Sequence, residues 1–209
     1  RILNGKYKYN SQHYKSRVVY NAGTLKQIVK KMNTIESNIP KEWNEFQKAK
    51  YIYITLGQNI EYEFDKRKYV GDRCSNLIGL VTGKSICAGY SLIFKEMMDR
   101  QGIQCDYVRG VAGTKNDMGR HAWNVLTIDG KTFPIDLTWD SARLNKGSMN
   151  IECFGTEPNF FNMHYIDKDE KKYQYNLLNK KYVKSIDTTH IQNKIQMQEL
   201  QKSKAINYA

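Results

Sequence analysis

The chain lacks several patterns that would point to particular classes of protein. No run of about 18 apolar residues occurs, so no segment is predicted to span a membrane. The four cysteines form no Cys-x-x-Cys pair and no metal-ligand spacing, and no zinc-finger or other nucleic-acid motif is present. Neither a phosphate loop nor an EF-hand-like calcium loop occurs. The sequence therefore predicts no metal, no cofactor, no transmembrane segment and no specific nucleic-acid partner.

The charge, in contrast, is strongly one-sided. The chain has 33 Lys and Arg against 21 Asp and Glu, a formal net charge of +12. Such a surface is either simply well solvated or suited to polyanions, so an acidic cell-wall or cell-surface polymer is a candidate partner. Low cysteine use with abundant Lys and Tyr is compatible with an exported bacterial protein. We expect a secreted or cell-surface location, with a cytoplasmic one as the alternative.

Apolar periodicity predicts helices at both ends of the chain. Thr24 is the expected N-cap of a first helix, and a second should run from about Trp43 to Asn59. A strand is expected near Arg17–Tyr20. A loose apolar stripe in the C-terminal tail predicts a surface-packed terminal helix. The residues of that stripe are Ile191, Ile195, Leu200 and Ile206.

Cys87 lies where a helical pattern begins, after a glycine-containing turn. The apolar residues behind it keep helical spacing as far as Gly102, a residue type that commonly ends helices. A cysteine at a helix N-terminus lies near the positive end of the helix dipole, which favours the nucleophilic thiolate. Next, a strand with a buried Cys105 is expected, and the glycines between Gly110 and Gly119 predict a mobile loop.

A hairpin signal then places two polar groups together. Asp129 and Gly130 predict a two-residue type I′ turn, and with that turn Trp123 lies opposite Asp136. His121 shares a face with Trp123, because side chains alternate along a strand. His121 and Asp136 are therefore diagonal neighbours, with their backbones about 7–8 Å apart.

The opposite face of this hairpin is apolar and should face the core. Its residues are Ala122, Leu126, Ile128, Phe133, Ile135 and Leu137. A slip of one residue would exchange the two faces and bury both polar groups, so the pattern specifies this register.

These residues predict a thiol catalytic centre. Cys87 would be the nucleophile, His121 the base that takes its proton, and Asp136 the acid that orients the imidazole. The backbone N–H of Cys87 is a candidate oxyanion donor. Asp140 has the same parity as Asp136 and is its rival, while Asn124 belongs to the core face.

The roles of a further histidine and of two tryptophans are open. His164 is interpreted as a structural or exposed histidine rather than a second base. Trp123 and Trp139 either wall the active cleft or simply pack.

At several blocks the sequence resembles the bacterial transglutaminase-like superfamily. The blocks are Gly83–Ser91, Gly102–Gly110, His121–Asn124 and Asp136–Asp140. The resemblance implies an α+β papain/transglutaminase-like core over residues 41–165, with a Cys-bearing helix packed on an antiparallel sheet that carries His and Asp. The segment from Phe154 to His164 would close that core. Residues 1–40 would then be an N-terminal extension and 166–209 a basic, partly helical tail.

The expected function is thiol-dependent acyl transfer or hydrolysis on peptide or protein amides, through a Cys acyl-enzyme. A cysteine protease or amidase is preferred to a protein cross-linking transglutaminase. The alternative is a non-catalytic binding or scaffold module of the same fold. The expected partner is a protein or peptide substrate.

Overall fold

A four-stranded antiparallel sheet is the frame of the molecule. In spatial order its strands are β8 (Lys131–Ile135), β7 (Asp117–Ile128), β6 (Gln104–Thr114) and β9 (His164–Ile166). The computed structural model describes residues 2–3, 6–8, 17–65, 75–156, 160–186 and 188.

Helices accompany this sheet. They are α1 (Ala22–Ser37), α2 (Glu45–Asn59), α3 (Gly79–Thr82), α4 (Cys87–Gln101), α5 (Leu137–Leu144), α6 (Phe160–Met163) and α7 (Lys180–Ser185). Of these, α4 and α6 pack on the sheet. Among the described residues, none of the helices combines the length and the apolar character needed to cross a bilayer.

Two small sheets complete the architecture. The N-terminal strands β1 (Ile2–Leu3), β2 (Lys6–Lys8) and β3 (Arg17–Val19) form an antiparallel sheet, and β3 confirms the strand expected there. The strands β4 (Glu61–Tyr62) and β5 (Lys84–Ser85) pair in parallel just before the Cys87 helix.

Asparagines are the N-caps of the first two helices. The prediction that Thr24 caps α1 is wrong, because Asn21 is the N-cap and its Oδ1 accepts the Thr24 backbone N–H at 2.8 Å. Thr24 is thus the third helical residue. In α2, Asn44 and Gln47 form a reciprocal capping box, and the helix ends at Asn59 as predicted.

The predicted loop between Gly110 and Gly119 is also wrong. The strands β6 and β7 continue through this segment and pair as far as Thr114 and Asp117. A Cβ atom at Gly110 would overlap the Tyr165 carbonyl oxygen, so glycine here lets neighbouring backbones approach within the sheet. Gly110 therefore marks close contact between β6 and β9.

The hairpin of β7 and β8 has the predicted register. Asp129 and Gly130 both have positive φ, 50° and 70°, as a type I′ turn requires. Pairing runs from Ile128 with Lys131 to Asn124 with Ile135. The predicted core face is confirmed, because all six of its apolar residues are buried in the main core.

The other face of the sheet is covered as well. Val108, Trp123, Val125 and Phe160 form a second, smaller apolar cluster there. The polar groups of the hairpin thus lie beside a packed layer rather than on an open surface.

Both terminal parts of the chain contribute to the main core. Ile28 and Met32 of α1 and Val183 of α7 are buried in the same cluster as the α4 residues. The domain limits proposed from the sequence stay predictions. The predicted helix over 191–206 lies outside the described residues.

Candidate active site

Three elements bring the predicted catalytic residues together. Cys87 is the first residue of α4, His121 lies on β7, and Asp136 follows β8 directly. His121 Nε2 lies 2.7 Å from Asp136 Oδ2, and Cys87 is near enough to the same imidazole to raise its pKa. Because Nε2 is engaged by Asp136, the nitrogen left for the thiol is Nδ1. The thiol and the carboxylate therefore act on one imidazole.

Asp136 is held rigidly at the start of α5. Its side chain is the N-cap of that helix, and Oδ1 accepts the Trp139 backbone N–H at 3.3 Å. Its own backbone N–H donates to the Cys153 carbonyl at 2.9 Å, and its carbonyl accepts from the Tyr53 hydroxyl at 2.8 Å. The residue is completely buried, so the carboxylate has little freedom to turn away from His121.

The electrostatics favour an ion pair. Burial by itself lowers the pKa of His121, but the charge and hydrogen bond of Asp136, together with Cys87, outweigh it and raise the pKa from 6.5 to about 10. Burial would raise the pKa of Asp136. The charges and hydrogen bonds of His121 and His164 outweigh burial and hold that pKa well below its ordinary value. The pair is thus a cationic imidazole and an ionised carboxylate near neutral pH.

His164 is the residue that sequence reasoning underestimated. It lies in the buried interior, where Nε2 is 3.0 Å from Asp136 Oδ2 and Nδ1 is 3.1 Å from the Phe160 carbonyl oxygen. The Asp136 oxygen that orients His121 is therefore shared between two imidazoles. The signal available was the resemblance of Phe154–His164 to a segment that closes the core.

Aromatic rings enclose the two imidazoles. Phe160 stacks on His164 with ring centroids 3.7 Å apart, and Trp139 lies 4.3 Å from the same ring. Trp139 is also 6.0 Å from His121 and half-buried, so it forms part of the wall of the site. Trp123 is almost fully buried and belongs to the packed layer.

Asp140, the rival of Asp136, has a different set of partners. Its carboxylate accepts from the Tyr53 hydroxyl at 2.7 Å and from the Cys153 backbone N–H at 2.9 Å. It also pairs with Arg143. These contacts fasten α5 to α2 and to the segment around Cys153, which is a structural task.

The N-terminus of α4 offers hydrogen-bond donors at the sulfur. Its N-cap is Ile86, whose side chain has no polar atom to cap the helix, and the first intrahelical bond joins the Tyr90 N–H to the Ile86 carbonyl at 3.0 Å. The N–H groups of the first turn, including that of Cys87, are therefore available to a developing oxyanion.

Three side chains of the site could in principle bind a metal ion. Their nearest polar atoms, in His121, Asp136 and His164, lie within 4.8 Å of one another. The separations of 2.7 and 3.0 Å are those of charge-assisted hydrogen bonds. Hydrogen bonding accounts for each contact, and we assign the cluster no ion.

The chain matches the transglutaminase-like superfamily over residues 33–137, half of its length. It belongs to that superfamily. The predicted membership and the predicted α+β papain/transglutaminase-like fold are both confirmed.

Two curated relatives are the kyphoscoliosis peptidases of mouse and human. The mouse protein is 26% identical over 120 residues, which cover 53% of this chain and 18% of the mouse protein. The human protein is 26% identical over 106 residues, which cover 46% of this chain and 16% of the human protein. The chain thus spans less than a fifth of the curated relatives it matches.

Two solved structures are also similar. One is a candidate cysteine protease from Cytophaga hutchinsonii, with 16% identity and a TM-score of 0.44 over 57% of this chain and 43% of that one. The other is a TGase, with 17% identity and a TM-score of 0.46 over 84% of this chain and 50% of that one.

Proposed function

We propose that this protein cleaves peptide or protein amides through a covalent Cys87 acyl-enzyme. The Cys87 thiolate attacks the amide carbonyl, and the N–H groups of the first turn of α4 bind the oxyanion. His121 then gives its proton to the leaving amine as the C–N bond breaks. Water, deprotonated by the now neutral His121, attacks the thioester, releases the acid and restores the thiolate–imidazolium pair.

One observation carries the proposal: the Cys87 thiol and the buried Asp136 carboxylate act on the same His121 imidazole. A thiol is a strong nucleophile only as thiolate, and a cationic imidazole beside it stabilises that form. The raised pKa of His121 keeps the proton on the ring until a leaving group needs it. A scaffold module would have no requirement for this arrangement.

Hydrolysis and transamidation share the first half of this reaction. They differ in whether water or a lysine amine resolves the thioester. The curated relatives are peptidases by name, and this supports hydrolysis as the preferred outcome.

Activity should depend on Cys87 and not on the buried cysteines. With fluorescein-labelled casein as probe, Cys87→Ala should abolish peptide release, while Cys105→Ala should retain it, since Cys105 is buried in β6. In parallel, iodoacetamide labelling mapped peptide by peptide should show Cys87 reacting faster than Cys105, whose thiol has a pKa raised by burial. His121→Gln should slow the labelling of Cys87.

Two outcomes would contradict the proposal in different ways. If Cys87 reacts no faster than a free thiol, the fold serves as a binding module. If a labelled amine is incorporated into casein at the expense of peptide release, and Cys87→Ala abolishes the incorporation, the enzyme is a transglutaminase.

A further inference from the structure

His164 contacts two groups that can only accept hydrogen bonds. Its Nδ1 is 3.1 Å from the Phe160 carbonyl oxygen, and its Nε2 is 3.0 Å from Asp136 Oδ2. A carbonyl oxygen and an ionised carboxylate both have lone pairs and no proton, so each can accept a hydrogen bond but cannot donate one. Both nitrogens of this buried ring therefore face acceptors.

A neutral imidazole cannot satisfy this arrangement. It has one N–H and one lone pair, so either tautomer would direct a lone pair at an oxygen about 3 Å away, at a buried site where an unmade hydrogen bond is costly. The doubly protonated ring donates to both oxygens. We propose that His164 is a standing imidazolium that positions Asp136 and balances its charge.

The remaining possibility is that Asp136 is protonated and donates to His164. Its surroundings argue against that form. Oδ2 faces His121 as well as His164, and Oδ1 accepts the Trp139 N–H, so an added proton would displace one of these donors. The N-terminus of α5 also favours a negative charge at its cap.

The rings around His164 suit a cation. Phe160 stacks on His164 with its centroid 3.7 Å away, within the range at which an aromatic face attracts positive charge, and the centroids of Trp139 and Trp123 lie 4.3 and 5.1 Å away. Among the described residues, the titratable groups in contact with His164 are Asp136, at the start of α5, and His121, on β7 with its ring 5.7 Å away.

This inference rests on the proposed function and explains a difficulty in it. When His121 gives its proton to the leaving amine, the buried Asp136 loses the positive charge beside it. An unpaired buried carboxylate is strongly disfavoured, so its orientation would be weakened just when His121 must accept a proton from water. A permanent His164 cation keeps Asp136 paired through both halves of the reaction. His164 lies outside residues 33–137, the part of the chain that the superfamily model matches.

The direct test is the protonation state of His164 in the wild-type protein. Histidine-selective ¹⁵N NMR with EDTA present, assigned by loss of one ring in His164→Gln, should show imidazolium shifts for both nitrogens at pH about 7.5. That pH is about one unit above the ordinary histidine value of about 6.5. A pattern with one protonated and one bare nitrogen at that pH would overturn the proposal.

A second measurement detects the charge through His121. Removing a cation 5.7 Å away should move the His121 titration midpoint in His164→Gln upward by about one pH unit or more. Phe160→Leu is the matched control, because it removes the stacked ring and keeps the backbone carbonyl, and it should leave the midpoint in place. An unchanged midpoint in His164→Gln would refute a charged His164.

Neither readout needs a substrate. If His164→Gln does not fold, the wild-type spectrum compared with those of His13→Gln, His121→Gln and His190→Gln assigns the remaining ring to His164 by elimination. A neutral His164 together with an active Cys87 would refute this inference alone, whereas an unreactive Cys87 would refute the proposed function whatever the charge of His164.

Discussion

The side-chain amide of Asn124 donates to the Ser91 carbonyl oxygen at 3.0 Å and so joins β7 to the helix that carries Cys87. The same amide reaches the Asp106 carbonyl of β6 at 3.3 Å. Ser91 is itself tied to the first residue of α4, since its hydroxyl donates to the Cys87 carbonyl at 2.9 Å. This polar link sets the distance between the sulfur and the sheet that holds His121.

Replacing Asn124 by Leu should therefore loosen the site as well as the fold. The change leaves buried carbonyl oxygens without their donor, and we expect a loss of about 1–3 kcal/mol in the free energy of unfolding. Urea denaturation measures this loss, and the alkylation rate of Cys87 reports the geometry. Asn162→Ala, at an exposed position, is the control and should change neither. Full stability in Asn124→Leu would show that the link is unimportant.

The two rival aspartates should respond differently to the same substitution. Asp136→Asn replaces one carboxylate oxygen with an NH2 group, which removes the charge that holds His121 in its cationic form. By analogy with other catalytic triads, we expect kcat to fall by up to about 10⁴-fold. Asp140→Asn should act mainly on stability, because Asp140 binds Tyr53 and the Cys153 backbone. Casein hydrolysis and thermal unfolding of both variants separate the roles, and an equal loss of kcat with unchanged stability in Asp140→Asn would contradict this assignment.

The stability of the protein should depend on pH through His121. Because folding raises the pKa of His121 from 6.5 to about 10, its contribution to the unfolding free energy is complete below pH 6.5 and disappears as the pH rises through about 10. The difference in unfolding free energy between wild type and His121→Gln should thus shrink across that interval. Asp136 acts in the opposite direction. Its pKa is lowered on folding, so its contribution is present above its ordinary value of 3.8 and is lost as the pH falls.

Urea denaturation at a series of pH values tests this dependence. A constant difference between wild type and His121→Gln from pH 6.5 to 10 would show that the imidazole is not held as a cation.

Two glycines of the β6–β7 hairpin form a matched pair for mutation. A Cβ at Gly110 would overlap the Tyr165 carbonyl oxygen and press on Trp123, so Gly110→Ala should cost about 1–3 kcal/mol. Among the described residues, Gly119 has open space at its Cβ position, and Gly119→Ala should be tolerated. Thermal unfolding followed by circular dichroism compares the two. Equal melting temperatures would mean that the strand β9 can move away from Gly110 without loss.

Local sequence was sufficient to predict much of the site. The Asp129-Gly130 turn sets the register of its hairpin, because a two-residue turn leaves one pairing, and the register places His121 and Asp136 on one face. The start of α4 at Cys87 was likewise predicted from helical periodicity. In both cases the residues that determine the feature are within a few positions of it along the chain.

Local sequence failed where distant segments meet. The glycines from Gly110 to Gly119 were interpreted as a loop because their local chemistry is that of a loop. At Gly110 the reason for glycine is the Tyr165 backbone, which reaches β6 from far along the chain.

By itself, the sequence determined the hairpin register, the helix that begins at Cys87 and the identity of the three residues that meet. Only the tertiary structure decided that Asp136 serves two histidines. His164 reaches it because β9 pairs with β6, where His164 lies opposite Ala112. That pairing joins segments about fifty residues apart, and no pattern in the sequence connects them. The sharing of one buried carboxylate by two histidines therefore arises only when the chain folds.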